Sequence, residues 1–128
     1  MDGHALSMKV LFVCVGNSCR SQMAEGWAKH LGIEASSAGC HPSAFGVARN
    51  SVEAMADVDI DISGQRPKPV SLFFEQEFDH IFSMGDDVQC PREIKVEGDW
   101  GLPDPIGLDI DKYREIRDQI EQKVRALL

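Results

Sequence analysis

The stretch that most constrains this chain runs from Lys9 to Arg20: Lys-Val-Leu-Phe-Val-Cys-Val-Gly-Asn-Ser-Cys-Arg. Val10 to Val13 form a continuous apolar run, the pattern of a strand buried on both faces. From Ser21 the period changes. Met23, Trp27 and Leu31 then fall four apart, on one face of an amphipathic helix. Cys14 and Arg20 stand in the connection, with five residues between them. A loop of this kind points successive backbone N–H groups into one concavity, and the free N–H groups of the first helical turn add to it. The result is an oxyanion cradle, to which Arg20 brings a planar fork for two further oxygens. A thiol facing it ionises readily, because helix terminus and guanidinium both favour the thiolate. The bland alternative is a buried Cys14 ending a core strand with Arg20 on the surface. Strand, Gly16, Ser21 and helix together weigh against it.

Cys14 to Gly26 (Cys-Val-Gly-Asn-Ser-Cys-Arg-Ser-Gln-Met-Ala-Glu-Gly) resembles the signature of arsenate reductases built on the low-molecular-weight tyrosine phosphatase fold. The phosphatase branch shares most of these positions, but has an apolar residue where Ser18 stands and a proline where Gln22 stands. The resemblance continues through Ser37-Ala38-Gly39, Glu53-Ala54-Met55, Asp61-Ile62-Ser63 and Trp100 to Pro105, covering essentially everything after Met8. It implies a single-domain α/β three-layer sandwich, with four parallel strands flanked by helices.

The chain of 128 residues reads as one domain, able to bury roughly two thirds of its unfolded surface. No apolar run approaches the roughly 18 residues of a membrane span. Residues 1–7 lack the basic and apolar regions of a signal peptide. They are expected to be a disordered extension ahead of a domain over 8–128, in a cytoplasmic protein. Four cysteines make no dense disulfide framework. A net charge of −8 disfavours nucleic acid. An anionic substrate must therefore be small, and held by local dipoles.

Further along, Glu34 to Ala38 reads as a second strand ending at a Gly39 turn. Cys40 to Gly46 is a loop, and Ala48, Val52 and Met55 mark a second helix closing near Val58. Two prolines, Pro67 and Pro69, exclude a helix interior there. Val70 to Phe78 is an aromatic-rich helix or turn, and Ile81 to Met84 a third strand. Gly85 to Pro105 carries three prolines, and a structureless segment that long in a compact domain is functional. Asp109 then caps a helix with Ile110, Tyr113, Ile116, Ile120, Val124 and Leu127 on one face. Strands alternating with helices predict a parallel sheet covered on both faces, with ligands at the carboxyl ends of strands, where Cys14 lies.

Cys14 is the expected nucleophile, attacking the central atom of arsenate or phosphate. Arg20 clamps equatorial oxygens. The N–H groups of Val15, Gly16, Asn17, Ser18, Cys19 and Arg20 stabilise the added charge. Ser21 donates to the thiolate or caps the helix, and the two roles can coexist. Asn17 bonds within the loop and tolerates a left-handed backbone. On the residues alone, Leu102-Pro103-Asp104-Pro105 reads as an Asp-Pro turn. The resemblance makes Asp104 the general acid, with Asp99 its near rival and Trp100 packing the loop down.

Reductase and phosphatase differ in the fate of the Cys14 adduct. A phosphatase hydrolyses it, whereas a reductase needs a second thiolate to attack sulfur and release arsenite. The resemblance gives Cys90 that part. Thioredoxin-linked members carry a further cysteine just after the third strand, but here the chain reads Met84-Gly85-Asp86-Asp87. Either Cys90 resolves Cys14 directly or an external thiol does. The donor is expected to be thioredoxin, glutathione with glutaredoxin, or mycothiol, with no bound cofactor. Cys19 matches a phosphatase cysteine that forms a reversible disulfide with the nucleophile. Cys40 reads as an inert thiol without a role. The four histidines show no ligand spacing, so no metal site is expected. Some reductases of this branch bind potassium, and Asn17, Glu25 and Ser37 match its ligands. Arg66 and Lys68 stand where further oxygens belong, so a fixed cation is expected in place of the ion. The rival reading is a tyrosine phosphatase, which carries aromatic residues after its Asp-Pro. Here Ile106-Gly107 follow, leaving Phe45 or His41 to contact a ring. An oxyanion-binding regulator without turnover is the non-enzymatic alternative.

Overall fold

The computed structural model describes residues 8–128, so the expectation for residues 1–7 lies outside it. The elements are β1 (Lys9–Cys14), α1 (Arg20–His30), β2 (Glu34–Gly39), α2 (Arg49–Ala56), β3 (His80–Ser83), β4 (Gly98–Asp99) and α3 (Ile110–Arg125). A 3-10 turn covers Val70–Phe73. The sheet order is β2-β1-β3-β4 and every neighbouring pair is parallel. This is the four-stranded parallel α/β architecture the resemblance implied.

β1 is central, which explains its unbroken apolar run. Val10 and Phe12 face one way, into a core shared with Met23 and Trp27 of α1, Met55 of α2, and Ile116, Ile120 and Val124 of α3. Leu11 and Val13 face the other way, against Val70 and Phe73 of the 3-10 turn and Ile94 of the loop after β3. Each such side chain contributes about 1.5–3 kcal/mol on full burial. All three helices therefore lie on one face of the sheet, while a single turn and a loop cover the other. That asymmetry leaves the loop after β3 as the layer over one side of the strand ends.

The first helix departs from the one-sided pattern. Arg20, Ser21, Gln22 and Glu25 are buried together with its apolar positions. Polar groups at a buried helix start need partners, and the site supplies them. In α3, the Asp109 side chain accepts from the Lys112 N–H, as the cap predicts. Arg117 of α3 donates to the Ala54 carbonyl at 2.8 Å and so ties α3 to α2. β4 was not legible: it is two residues long, pairs Phe82 with Gly98, and lies among charges without alternation. No described helix is long and apolar enough to cross a membrane.

Candidate active site

The loop from Cys14 to Arg20 is held from outside. The Cys14 carbonyl accepts from the Cys40 N–H at 3.1 Å, Val15 from His41 at 2.8 Å, Gly16 from Ser43 at 2.9 Å and Ser18 from Ala48 at 2.9 Å. The Asn17 carbonyl accepts from the Gln22 side-chain amide at 2.9 Å. No peptide bond here is cis, and a trans peptide sets each C=O opposite the next N–H. Outward carbonyls thus turn the amides of Val15 to Cys19 inward. The Asn17 N–H donates to Cys14 Sγ at 3.2 Å and marks where they converge.

Asn17 adopts φ 51°, the left-handed conformation its short polar side chain tolerates. Its Oδ1 accepts from the Lys68 N–H at 2.9 Å. Its Nδ2 donates to Ser37 Oγ at 2.9 Å and to Ser21 Oγ at 2.7 Å. Because an amide nitrogen only donates, the Ser21 proton is free to point at Cys14 Sγ, 2.7 Å away. Ser21 lies inside α1, whose N-cap is Cys19, so the helix-cap alternative does not hold. β1 and β2 bring Cys14 beside Gly39 in register. A Cβ at Gly39 would stand 2.7 Å from the Val15 oxygen, so only glycine lets the second strand approach the cradle.

Arg20 is buried and already committed at one end. Its Nη1 and Nη2 donate to the two Asp87 oxygens at 2.9 and 2.8 Å, and Nη1 donates again to the Leu102 carbonyl at 2.9 Å. Of five N–H donors, this leaves Nε–H and one Nη2–H, which form the second fork of the same guanidinium. The Arg20 hydrogen bonds hold the Asp87 carboxyl below the usual carboxylate range. Gly85 makes the convergence possible, since a Cβ there would lie 2.5 Å from Arg20 Nη1. Asp87 was missed from sequence. Its signal was two adjacent acids right after a core strand.

Cys14, Val15, Gly16, Ser18, Cys19 and Arg20 line a hollow of about 260 Å³ with His41, Ser43, Asp104 and Ile106. Asp104 therefore stands at the cradle mouth, its Oδ1 accepting from the Ile106 N–H at 3.1 Å. Asp99 is occupied elsewhere, accepting from Ser83 Oγ at 2.6 Å and from the Gly101 N–H at 2.9 Å. Trp100 packs on Phe12 and Phe82, with ring centroids 5.3 and 5.1 Å apart. Phe45 is 97% exposed and lines nothing here. Cys19 lies 3.7 Å from the Tyr113 hydroxyl, and burial raises its thiol pKa. A larger depression of about 730 Å³ lies at the opposite strand ends, around Lys9, Glu34 and Asp79, without a nucleophile.

Cys90 is not beside Cys14 but beside Cys40, sulfur to sulfur 3.9 Å. Burial, and then the neighbouring Cys40, raise the Cys90 thiol to about 12, and burial raises Cys40 as well. Among the described residues, no cluster of three or more His, Cys, Asp or Glu could hold a metal. The residues matched to potassium ligands have cations beside them. Glu25 accepts from Ser37 Oγ and pairs with Lys29 Nζ, while Lys68 Nζ stands 3.8 Å away. Lys29, which the sequence reading left out, makes the nearer pair. Arg66 contributes its carbonyl, which accepts from Gln22 and Lys68.

A thiol under converging amides, a half-committed arginine and a carboxyl at the mouth can bind a tetrahedral oxyanion and attack its central atom. Residues 9–128 match the family described as low molecular weight phosphotyrosine protein phosphatase. The chain is 40% identical to the "Glutaredoxin arsenate reductase" of Synechocystis sp., over 94% of this chain and 95% of that protein. A solved "arsenate reductase in the phosphate binding state" superposes with a TM-score of 0.85 at 41% identity, covering 94% of this chain and 95% of that one. A low molecular weight protein tyrosine phosphatase from T. tengcongensis superposes with a TM-score of 0.76 at 30% identity, over 94% and 97%. The chain belongs to the low molecular weight phosphotyrosine protein phosphatase family.

Proposed function

We propose that this protein is an arsenate reductase, converting arsenate to arsenite through a Cys14 thiol-arsenate adduct. The observation that carries the reading is a second thiol, Cys90, on the loop that also holds Arg20 through Asp87. The family's arsenate reductases among the relatives support it.

Arsenate enters the hollow with its oxygens on the inward amides of Val15 to Cys19 and the open fork of Arg20. Cys14 Sγ, aligned by the Asn17 N–H and Ser21 Oγ, attacks arsenic. Asp104 at the mouth protonates the departing oxygen. Cys90 then attacks Cys14 Sγ, the sulfur–arsenic bond breaks, and its electron pair stays with arsenic as arsenite leaves. In the resting structure Cys90 sits half-buried beside Cys40, and burial raises its thiol pKa. Resolution therefore requires the loop to carry it out of its seat. An external thiol restores the enzyme; thioredoxin, glutaredoxin with glutathione, and mycothiol are the candidates, and the Synechocystis relative's name favours glutaredoxin.

The test is arsenite release with each donor system in parallel, with an aryl phosphate as control. Arsenite release with at least one donor is the expected result. Aryl phosphate hydrolysis without arsenite release would make the protein a phosphatase.

A further inference from the structure

Cys40 has no part in the chemistry above, yet its sulfur lies within 3.9 Å of Cys90. Both thiols are free and half-buried. They are held very differently. Cys40 follows β2 directly, and its N–H donates to the Cys14 carbonyl, so it is pinned beside the nucleophile's own strand. Among the described residues, the backbone of residues 86–93 makes hydrogen bonds only within its own loop, Val88 to Gly85 and Ile94 to Pro91. Cys90 also borders a surface hollow of about 410 Å³, lined by Ser83, Pro91, Arg92 and Lys95 among others. The Cys40 N–H on the Cys14 carbonyl and the Cys40–Cys90 sulfur contact bring three cysteines into one neighbourhood. The position directly after β3 is the buried Met84, which supplies no thiol there.

We propose that Cys40 is the third thiol of the reduction, so that each turnover ends with a Cys40–Cys90 disulfide and a free Cys14. The proposal rests on the reductase reading. Cys90 first takes the Cys14 sulfur, forming a Cys14–Cys90 bond as arsenic(V) gains two electrons and departs as arsenite. The loop then returns. The Cys40 thiolate attacks Cys90 Sγ, the Cys14–Cys90 bond breaks, and Cys14 leaves as a thiolate into the Asn17 N–H and Ser21 hydroxyl. Two thiols have lost two electrons and two protons, and arsenic has gained the two electrons. The external thiol reductant reduces the new disulfide at the Cys90 hollow. Closing the bond needs the sulfurs to approach by about 2 Å, to the ~2.05 Å of a disulfide. A thiol tethered this close outcompetes any dilute thiol from solution.

The decisive experiment is a single turnover with arsenate and no added thiol, quenched with an alkylating agent and mapped by mass spectrometry. The expected product has Cys40 linked to Cys90 and Cys14 alkylated. In Cys40→Ser the product is expected to stop at a Cys14–Cys90 disulfide, and steady-state turnover with the protein donor to fall roughly tenfold or more. Wild-type protein that accumulates Cys14–Cys90 with Cys40 alkylated overturns the proposal, as does a Cys40→Ser variant that turns over at the wild-type rate. A second arm separates the proposal from the reductase reading. Mild oxidation by a small disulfide in the absence of arsenate is expected to link Cys40 to Cys90, whatever the oxyanion chemistry proves to be. Failure of arsenite release beside a Cys40–Cys90 bond in that arm removes the reductase reading and, with it, the relay. Arsenite release without that bond in either arm removes the relay alone.

Discussion

Two loops follow parallel strands at the same end of the sheet, and they are built in opposite ways. In the loop after β1, the carbonyls of Cys14, Val15, Gly16, Asn17 and Ser18 each have a partner from outside the loop's own turn, and the Asn17 side chain reaches three segments more. In the loop after β3, the backbone of residues 86–93 bonds only to itself among the described residues, and side chains such as Asp87 and Cys90 make the ties. Preorganisation is worth most where charge develops in the transition state, because fixed dipoles need not reorganise. Mobility is worth most where one thiol must visit two others. On the proposed reading the contrast divides the labour: binding on the fixed loop, electron transfer on the loose one.

Replacing Cys14 by Ser tests the fixed loop and carries the largest expected effect. Arsenite release and aryl phosphate hydrolysis should both fall by roughly 10⁴-fold or more. Phosphate binding, followed calorimetrically, should persist because the inward amides remain. Loss of binding along with turnover would mean that the cradle is not preorganised.

Asp104→Asn is expected to slow the chemical step by roughly 10²–10⁴-fold, measured as the rate of adduct formation before any thiol exchange. Asp99→Asn should instead weaken a hydrogen-bonded corner at Ser83 and Gly101, costing about 1 kcal/mol of stability by denaturant unfolding. If Asp99→Asn proves the slower enzyme, the acid is misplaced.

The loose loop has its own pH signature. Burial holds the Cys90 thiol near 12 in its seat, so it stays protonated there at any physiological pH. Once swung out, it returns toward the free value of about 8.5, and its thiolate fraction grows up to about tenfold per pH unit below that. The disulfide-forming step, separated by rapid quench, should therefore speed up from pH 6.5 to 8.5. A flat profile would indicate that Cys90 attacks from where it rests. The stability sign follows from the same shift. A thiol pKa raised on folding leaves its contribution intact below about 8.5, and that contribution fades as pH climbs toward the folded value.

Asp87→Asn joins the two loops and should have an intermediate consequence. Phosphate affinity is expected to weaken several-fold, because Arg20 loses the charge that aims it. The wild-type pair persists above the ordinary carboxylate pKa of about 3.9 and is lost only as pH falls through the lower folded value, so affinity should show no Asp87 transition between pH 5 and 8. The smallest expected effect is from exchanging potassium for sodium. Lys29 and Lys68 already face Glu25, so melting temperature and turnover should match at equal ionic strength.

What could be read from the sequence follows the same division. The cradle was legible because its residues are contiguous, and the switch from a buried strand to a helical period fixes where its amides point. The place of Asp104 at the cradle mouth was legible only through resemblance, since an Asp between prolines is a common turn. Asp87, Lys29 and the Cys40–Cys90 contact were not legible. Each depends on a partner dozens of residues away or on a helix start buried all round, and no periodicity reports that. Ser21 was half-read: its contact with Cys14 stands, but the cap does not, because the helix begins one residue earlier than the apolar pattern does.

The Arg20–Asp87 bond has a consequence for timing. On the proposed reading, the arginine that receives the oxyanion is also the mooring of the loop that carries the resolving thiol, with Asp87 three positions before Cys90. Any redistribution of that guanidinium's bonds when a dianion arrives must be returned, in equal measure, as a change in the loop's freedom, because coupling between two sites is reciprocal. An empty enzyme therefore keeps its reducing power docked. Occupancy and departure become one linked equilibrium, and oxidant encountered without substrate finds the thiols at their moorings rather than in transit.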